Sequence, residues 1–381
     1  MKNNIAVDSE VQVFNESQQS KFMTYLETVE NNTVIFPIDS ANQLILGNDF
    51  TTLSGKSRIT WVAMRQCCNF ISKNFYKLLT DICGKTIGPS HDFSAYSARD
   101  AATLFNIVVK RRLDKSLNGK RILKNNKTNM IESVVTDQYQ RLSNFQFMSK
   151  VTKALSKLGD KYSFMQSTVS GRKMQARFVL NAPLELPNFF AGKHLDPIRV
   201  GVLFVNSEHG DSAVKMTLFL SFGNLGSTIL PYNAALSIDH KGHSFFNKLD
   251  NLLVEIDNRR KELDENSVEN MLTKLQSSNL GLSGVKEADD KWLKAINKKL
   301  VSHKIHSSVV DKVMKRTLFS KVEDGTIALT KTDKASTWPD KTALDVFVAM
   351  LTESTKAGTN MIVRDNIEQS SFKLLSGKLR F

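Results

Sequence analysis

The sequence predicts an α+β protein in which a central antiparallel sheet, built from two hairpins plus an extra strand, is packed by helices. Two pairs of strand-like segments follow one another between residues 162 and 222, and turn-forming residues join each pair. Each pair has one apolar face, which is typical of an antiparallel sheet that buries one side. Helical spacing of apolar residues before and after this stretch predicts helical N-terminal and C-terminal regions.

Changes in this pattern divide the chain into four predicted regions. The N-terminal arm begins with polar residues 1–20, which are expected to be loose, and continues with a short helix and a strand at 33–37. The regions are the arm (1–57), a helical subdomain that ends in a basic segment (58–127), an α+β core domain (128–262) and a helical C-terminal region (263–381).

Two amphipathic helices are predicted in the helical subdomain. Apolar residues recur at steps of three and four over 58–82, and a second helix at 98–115 has Ser97 as its N-cap. Three cysteines, Cys67, Cys68 and Cys83, lie in or beside the first helix without the spacing of a zinc site. We expect buried thiols in a reducing compartment and no disulfides.

The core domain is predicted to contain a short strand at 130–136 and then the two hairpins. The first hairpin joins strands at 162–169 and 174–181, and the second joins strands at 199–206 and 212–222. Helices are predicted on both sides of these hairpins, at 139–158, 246–256, 265–277, 288–301, 308–318 and 341–356, with a turn at Gly325.

The composition is that of a folded chain with an excess of positive charge. Of the 381 residues, 41% are hydrophobic and 24% are charged, which is ordinary for a folded protein. Lysine and arginine number 52 and aspartate and glutamate 38, so the formal net charge is +14. Such an excess favours association with phosphates or other anionic surfaces and carries no information about the fold.

This charge is most concentrated between residues 110 and 127, where only Asp114 opposes eight cations. Clustered cations bind a phosphate backbone because neutralised phosphates release counterions. The alternative is a solvated helix end and loop, since Lys and Arg are also favoured at helix C-termini. The eight cations are Lys110, Arg111, Arg112, Lys115, Lys120, Arg121, Lys124 and Lys127.

Further candidates for contact with nucleic acid lie on the first hairpin and after the sheet. Tyr162 is a candidate for stacking on an unpaired base, which contributes roughly 1–3 kcal/mol per base, or for the strand core. Lys241 is predicted to contact a phosphate, because Gly242 and a nearby helix N-terminus offer free amides. The cations of the hairpin are Lys161, Arg172, Lys173 and Arg177.

Signatures of catalysis and of cofactor binding are missing from the sequence. It contains no P-loop, dinucleotide fingerprint, nucleophile elbow or zincin motif, so we predict a non-enzyme without a cofactor. His240 and His243 are three residues apart, but a zinc site needs three or four ligands, so we predict no metal. An enzyme with a dispersed site of Asp239, Glu255 and Asp257 stays an open alternative.

The sequence shows no sign of membrane insertion. Its first residues are polar, and no apolar run approaches the roughly 18 residues that a span requires. We therefore expect no membrane partner and a cytoplasmic location.

Four stretches of the chain carry a recognisable combination of residues. They are the helix at 61–82, the sequence Glu-Ser-Val-Val-Thr-Asp-Gln-Tyr at 132–139, Asn206-Ser207-Glu208-His209-Gly210 with His240-Lys241-Gly242-His243, and Thr337-Trp338-Pro339-Asp340. In this order they resemble a family of phage- and plasmid-encoded proteins of unknown function. The family has a cysteine where this chain has Gly223, so no role of that cysteine carries over. The order of strands also resembles, in topology, the Rad52-like single-strand annealing proteins that phages commonly encode.

Charge placement and strand order together predict an ATP-independent protein that binds or anneals single-stranded DNA in phage or plasmid recombination or replication. The basic segment and the hairpin would follow the phosphates, while a sheet edge, or an oligomeric ring of such edges, would hold the bases exposed. We therefore expect nucleic acid as the partner and a homo-oligomer as the assembled state. The alternative is a phage structural or interaction protein that assembles through the sheet edge and the C-terminal helices.

Overall fold

The structure is a computed structural model of the chain. The residues that it describes are 11–47, 51–71, 95–112, 117–139, 141–157, 161–185, 195, 197–209, 213–223, 225–230, 236–240, 251, 254–255, 258–260, 263–278, 280, 310, 312–313, 320–323, 326–329, 342–356 and 361–379.

The described residues form strands in three sheets and helices on either side of them. The strands are β1 Val11–Asn15, β2 Thr33–Pro37, β3 Arg58–Ile59, β4 Lys120–Asn125, β5 Met130–Thr136, β6 Tyr162–Ser170, β7 Lys173–Leu180, β8 Ile198–Ser207, β9 Val214–Phe222, β10 Gly226–Ile229, β11 Leu236–Ile238, β12 Ser320–Glu323 and β13 Thr326–Leu329. The helices are α1 Gln19–Asn31, α2 Trp61–Ile71, α3 Ala95–Arg112, α4 Asn144–Ser156, α5 Glu265–Ser277, α6 Ala343–Lys356 and α7 Met361–Leu375.

Seven strands form one antiparallel sheet, which confirms the predicted α+β class. The strand order is β1-β6-β7-β8-β9-β10, and β11 pairs with β9. The two predicted hairpins are β6–β7 and β8–β9, which lie side by side in the middle of the sheet.

One face of this sheet carries the main hydrophobic core, because apolar side chains alternate along its strands. Phe178 of β7 lies between Phe164 of β6 and Phe204 of β8, with ring centroids 5.5 and 5.8 Å away in edge-to-face geometry. Phe22 of α1 and Phe147 of α4 cover these rings from outside the sheet. Burying one such side chain contributes roughly 1.5–3 kcal/mol, so these rings fix the two helices on the sheet.

The opposite face of β7 is polar and meets helix α7. Gln175 donates from Nε2 to Asp365 Oδ2 (2.7 Å), and Arg177 donates from both terminal nitrogens to Glu368 (3.0 and 2.6 Å). Burial raises the pKa of Glu368, and the Arg177 guanidinium opposes this rise. Helix α7 is therefore held on the sheet by buried hydrogen bonds and an ion pair.

A second, four-stranded sheet has the order β2-β4-β5-β3. Strand β3 runs parallel to β5, and the other pairs are antiparallel. Helices α2 and α3 cover one face, where Met64 and Phe105 pack with Ile122 of β4 and Val134 of β5. Strand β5 corresponds to the strand predicted at 130–136, and it belongs to this sheet.

Three predicted elements differ from the structure. The basic segment, for which a solvated helix end and loop is the alternative interpretation, includes strand β4 at 120–125, because Ile122 and Leu123 are buried and pair with β2 and β5. Residues 11–15, predicted as loose, form β1 at the edge of the large sheet. The C-terminal region contains the hairpin β12–β13 in addition to helices.

Other predicted helices differ at their ends or lie outside the described residues. Helix α3 begins at Ala95, so the predicted N-cap Ser97 lies inside it, and α2 begins at Trp61 because Arg58 and Ile59 form β3. Helix α5 has the predicted bounds, and α4 begins at Asn144 because Ser143 caps it by accepting a hydrogen bond from Gln146 N (3.1 Å). The predicted helices at 246–256, 288–301 and 308–318 lie largely outside the described residues.

Cys67 and Cys68 are buried thiols in α2. Burial raises the pKa of Cys68 to about 12, so this thiol stays protonated at neutral pH. Cys83 lies outside the described residues.

Across the described part of the chain, no helix is both long enough and apolar enough to cross a bilayer.

Gly201 on β8 allows the Phe219 ring of β9 to lie directly on the backbone. A Cβ atom at this position would overlap that ring and would lie 2.7 Å from Phe178 O. We expect Gly201→Ala to lower the free energy of unfolding by about 1–3 kcal/mol, because overpacking forces the ring or strand to move. Urea denaturation measures this change. Gly55→Ala, where a Cβ would meet nothing closer than 3.4 Å, is the matched control, and an equal loss there would contradict the explanation.

Candidate functional site

The two larger sheets meet where the first hairpin turns. This turn consists of Gly171 and Arg172, and Gly171 adopts the left-handed conformation that the turn requires (φ +58°). The chain leaves β8 at Ser207, so Glu208 lies beside the turn and donates its backbone N–H to Arg172 O (3.0 Å). The Arg172 side chain is only 1% exposed, so the turn directs a cation into the protein.

An ionic cluster fills this junction between the sheets. Arg172 Nη1 donates to Glu208 Oε2 (3.1 Å), and Arg172 Nε donates to the carboxylate of Glu132 on β5. Arg141 donates to the same Glu208 oxygen (3.3 Å) and to Glu30 of α1. Two arginines and three carboxylates therefore connect the hairpin, β5 and α1. We call these five residues the Arg172 cluster.

Further hydrogen bonds surround the Arg172 cluster and attach α4 to it. Glu208 Oε1 accepts a hydrogen bond from Asn144 N (2.6 Å) at the first turn of α4, where the helix dipole favours a negative charge. Asn206 Nδ2 donates to Leu142 O (3.1 Å) and to Asn144 Oδ1 (2.9 Å). Both oxygens of Glu208 thus accept hydrogen bonds, from the hairpin turn and from the segment at 141–144.

Helix α2 joins the junction through the side chain of Gln66. Gln66 Oε1 accepts from Ser133 Oγ and from Val134 N, both at 2.8 Å, and Gln66 Nε2 donates to His209 O (2.5 Å). The sequence predicts only a local turn for the segment at 206–211. Its described residues instead connect the large sheet to the second sheet.

Burial controls the electrostatics of the Arg172 cluster. Desolvation raises the pKa of Glu132, while the neighbouring Arg172 charge and its hydrogen bond lower it. A buried carboxylate without a partner is strongly unfavourable, so contact with the Arg172 guanidinium offsets part of the cost of burying Glu132 and Glu208.

A cleft of about 820 Å³ opens above the cluster, between α1 and the turn that joins β4 to β5. Its floor contains Glu132, Gly171 and Arg172. Lys21 of α1 lies on one wall and Lys127 of the β4–β5 turn lies on the other. The cleft is therefore flanked by positive charge on both sides.

The cations predicted from the sequence divide into three groups in the structure. Arg172 and Arg177 are buried with carboxylate partners, so the cations left for an external anion are the exposed and half-buried ones. Lys110, Arg111, Arg121, Lys127 and Lys161 are exposed, and Lys120, Lys124 and Lys173 are half-buried. Lys115, Lys241 and the side chain of Arg112 lie outside the described residues.

Some of these residues come together in space and others do not. Lys120, Arg121 and Lys124 share strand β4, and the Lys120 Nζ atom lies 5.0 Å from the centroid of the Phe70 ring. Lys127 and Arg172 line the same cleft. Lys161 and Tyr162 lie at the far end of β6 from the cleft, and the half-buried Tyr162 packs against the main core.

Sequence reasoning missed the carboxylates and Arg141 of the cluster. Arg172 is 40 residues from Glu132 and 36 from Glu208 along the chain, so no spacing of residues indicates these pairs. The hairpin turn indicates the position of the Arg172 backbone but not the direction of its side chain. The family-like stretches at 132–139 and 206–210 contain Glu132 and Glu208, but they do not indicate that either carboxylate contacts Arg172.

No group of three or more His, Cys, Asp or Glu side chains within the described ranges could hold a metal ion.

Comparisons of the chain with protein-family models, with curated proteins and with solved structures find no match. The family resemblance and the topological likeness to single-strand annealing proteins therefore stay predictions. The function has to follow from the charges and contacts of the molecule itself.

The contacts of the Arg172 cluster lead to a prediction about the stability of the fold. We expect Arg172→Met to lower the free energy of unfolding by about 3–5 kcal/mol, because it leaves Glu132 buried without its cation and Glu208 with Arg141 alone. Chemical denaturation measures the loss. The control is Arg259→Met, which breaks the ion pair between Arg259 and Glu255. The side chains of these two residues are 39% and 51% exposed, respectively. That change should cost at most about 1 kcal/mol, and losses of similar size in both variants would contradict the role of the cluster.

Proposed function

We propose that the protein binds single-stranded nucleic acid without ATP, with DNA as the favoured partner. The observation that carries this proposal is a set of cations on α3, on β4 and in the turn after β4 that lack acidic partners among the described residues. Arg111, Arg121, Lys124 and Lys127 have no carboxylate of that part of the chain within ion-pair distance. A bound polyanion would supply negative charge to this surface.

The contrast with the interior cations supports this interpretation. Arg172 and Arg177 are matched by buried carboxylates, so the fold neutralises positive charge where charge is costly. On β4 the same chain keeps several cations close together without acidic partners among the described residues. Like charges on one strand repel each other, and bound phosphates remove that repulsion while releasing counterions.

Single strands are favoured over duplex because an unpaired strand presents bases as well as phosphates. The half-buried ring of Tyr162 and the cleft beside Lys127 are two places where a base and a protein surface can meet. The resemblance to phage- and plasmid-encoded proteins favours recombination or replication as the process, with annealing by a homo-oligomer. That part of the proposal is an analogy of fold and sequence order.

The alternative function is assembly of a phage structural or interaction protein. It is favoured by edge strand β1, which among the described strands pairs only with β6 and exposes 40% of Val13. An edge of this kind can pair with a strand of another chain. Size-exclusion chromatography with and without labelled oligonucleotide separates the two functions, since co-elution of the oligonucleotide supports the proposal, whereas an assembly that does not retain the oligonucleotide supports the alternative.

Charge reversal at Arg111 and Arg121 tests the proposal. We expect Arg111→Glu with Arg121→Glu to weaken binding of a labelled single-stranded DNA of about 40 nucleotides by more than about tenfold. The slope of log K against log salt should also fall in magnitude by about 0.7 for each phosphate that the variant no longer neutralises. Fluorescence anisotropy across a salt titration measures both quantities.

The matched control is Lys153→Glu with Lys157→Glu, which reverses two exposed cations at the C-terminal end of α4. It has the same net charge as the variant with Arg111→Glu and Arg121→Glu. This control should bind nearly as tightly as the unaltered protein. Equal weakening in both variants would indicate a general charge effect. Absence of binding by the unaltered protein at low salt would sink the proposal.

A further inference from the structure

The cleft above the Arg172 cluster has one wall made by a polar stripe on α1. Phe22 and Leu26 of this helix are buried in the main core, while the residues at steps of three and four on another side line the cleft. This spacing places them on one helical face, one turn above another. The stripe consists of Lys21, Thr24, Tyr25, Thr28 and Asn32.

The opposite wall is the turn between β4 and β5, and its shape is fixed by Asn125. The Oδ1 atom of Asn125 accepts hydrogen bonds from Lys127 N (3.0 Å) and Thr128 N (3.2 Å). Asn126 N donates to Asn32 O (2.8 Å), which ties this turn to the end of α1. The two walls are therefore attached to each other at one end, and the cleft has a defined width.

The lining of the cleft combines positive charge, neutral polar groups and an apolar surface. Lys21 and Lys127 lie on opposite walls, and the hydroxyls of α1 add donors and acceptors. Val29 and Met130 supply apolar surface for a flat ring. Glu132 in the floor contacts Arg172, which reduces its repulsion of an anion without cancelling it, because the Arg172 cluster has two arginines against three carboxylates.

We infer that this cleft is a binding site for one nucleotide unit, with the phosphate beside Lys127 and the base against the apolar and hydroxyl-bearing wall. A volume of about 820 Å³ lies within the range of small-ligand sites, roughly 300–1,000 Å³. The inference rests on the proposed function for its source of nucleotide, a bound single strand. A free nucleotide offers the same chemistry, and titrations with mononucleotide and with oligonucleotide separate the two sources.

The test fills the cleft without changing its charge. Thr28 is exposed on α1 and lines the cleft, so Thr28→Trp places a large side chain in the space proposed for the base. Asn31→Trp adds the same side chain to an exposed position of α1 that does not line the cleft, and it is the matched control. Isothermal titration calorimetry with a 5′-mononucleotide, its nucleoside and inorganic phosphate measures binding, and thermal melting confirms that each variant folds.

We expect the unaltered protein to bind one mononucleotide. The affinity should fall by at least about tenfold in Thr28→Trp and by less than about twofold in Asn31→Trp. Lys127→Glu, on an exposed turn, is a second variant that should weaken mononucleotide binding, whereas its control Lys153→Glu should not. If inorganic phosphate binds as tightly as the nucleotide, the base has no place in the cleft and the inference is overturned.

The outcome for single strands separates this inference from the proposed function. Oligonucleotide binding without mononucleotide binding, or with no effect of Thr28→Trp, overturns the cleft site and leaves the basic strand as the interface. Mononucleotide binding without oligonucleotide binding overturns the proposed function and supports a site for a free nucleotide. Absence of both overturns both.

Discussion

The arrangement of this protein depends on one buried guanidinium. Arg172 lies at the tip of a hairpin in the large sheet, and its partners Glu132 and Glu208 come from the second sheet and from the end of β8. Breaking a buried pair by removing one partner is much more costly than losing an exposed one, since the remaining charge is left unpaired. These contacts therefore fix the position of one sheet relative to the other. The floor of the cleft includes two of the contacting residues, Arg172 and Glu132.

This constraint explains how the protein distributes its positive charge. Cations that serve the fold, Arg172 and Arg177, are buried beside carboxylates, and each fixes an element that is distant in sequence. The cations of β4 and of the adjoining turn do not have such partners among the described residues, although Ile122 and Leu123 of the same strand are in the protein interior. A strand with an apolar interior and an unneutralised basic surface gives a rigid support for contacts with phosphate, and rigidity lowers the entropy that binding has to overcome.

Much of the fold can be predicted from local patterns in the sequence, whereas the contacts of the Arg172 cluster cannot. The two central hairpins and α5 are predictable, because alternation and helical spacing are properties of neighbouring residues. Strand β4 is not predicted because, in any short stretch of the sequence around it, the cations outnumber the two buried apolar residues, Ile122 and Leu123. Edge strand β1 is missed because five residues of mixed polarity give little signal. The burial of Arg172 is unpredictable from its turn sequence, since Glu132 and Glu208 reach it only through the tertiary fold.

Amide hydrogen exchange of an Arg172→Lys variant shows whether the Arg172 cluster couples the two sheets. Lysine keeps the charge but cannot replace the fork of donors that contacts both Glu132 and Glu208. We expect faster exchange together in β5 of the second sheet and at residues 206–209 beside the large sheet, with β9 unchanged. Faster exchange confined to the hairpin turn, with β5 as protected as before, would contradict it.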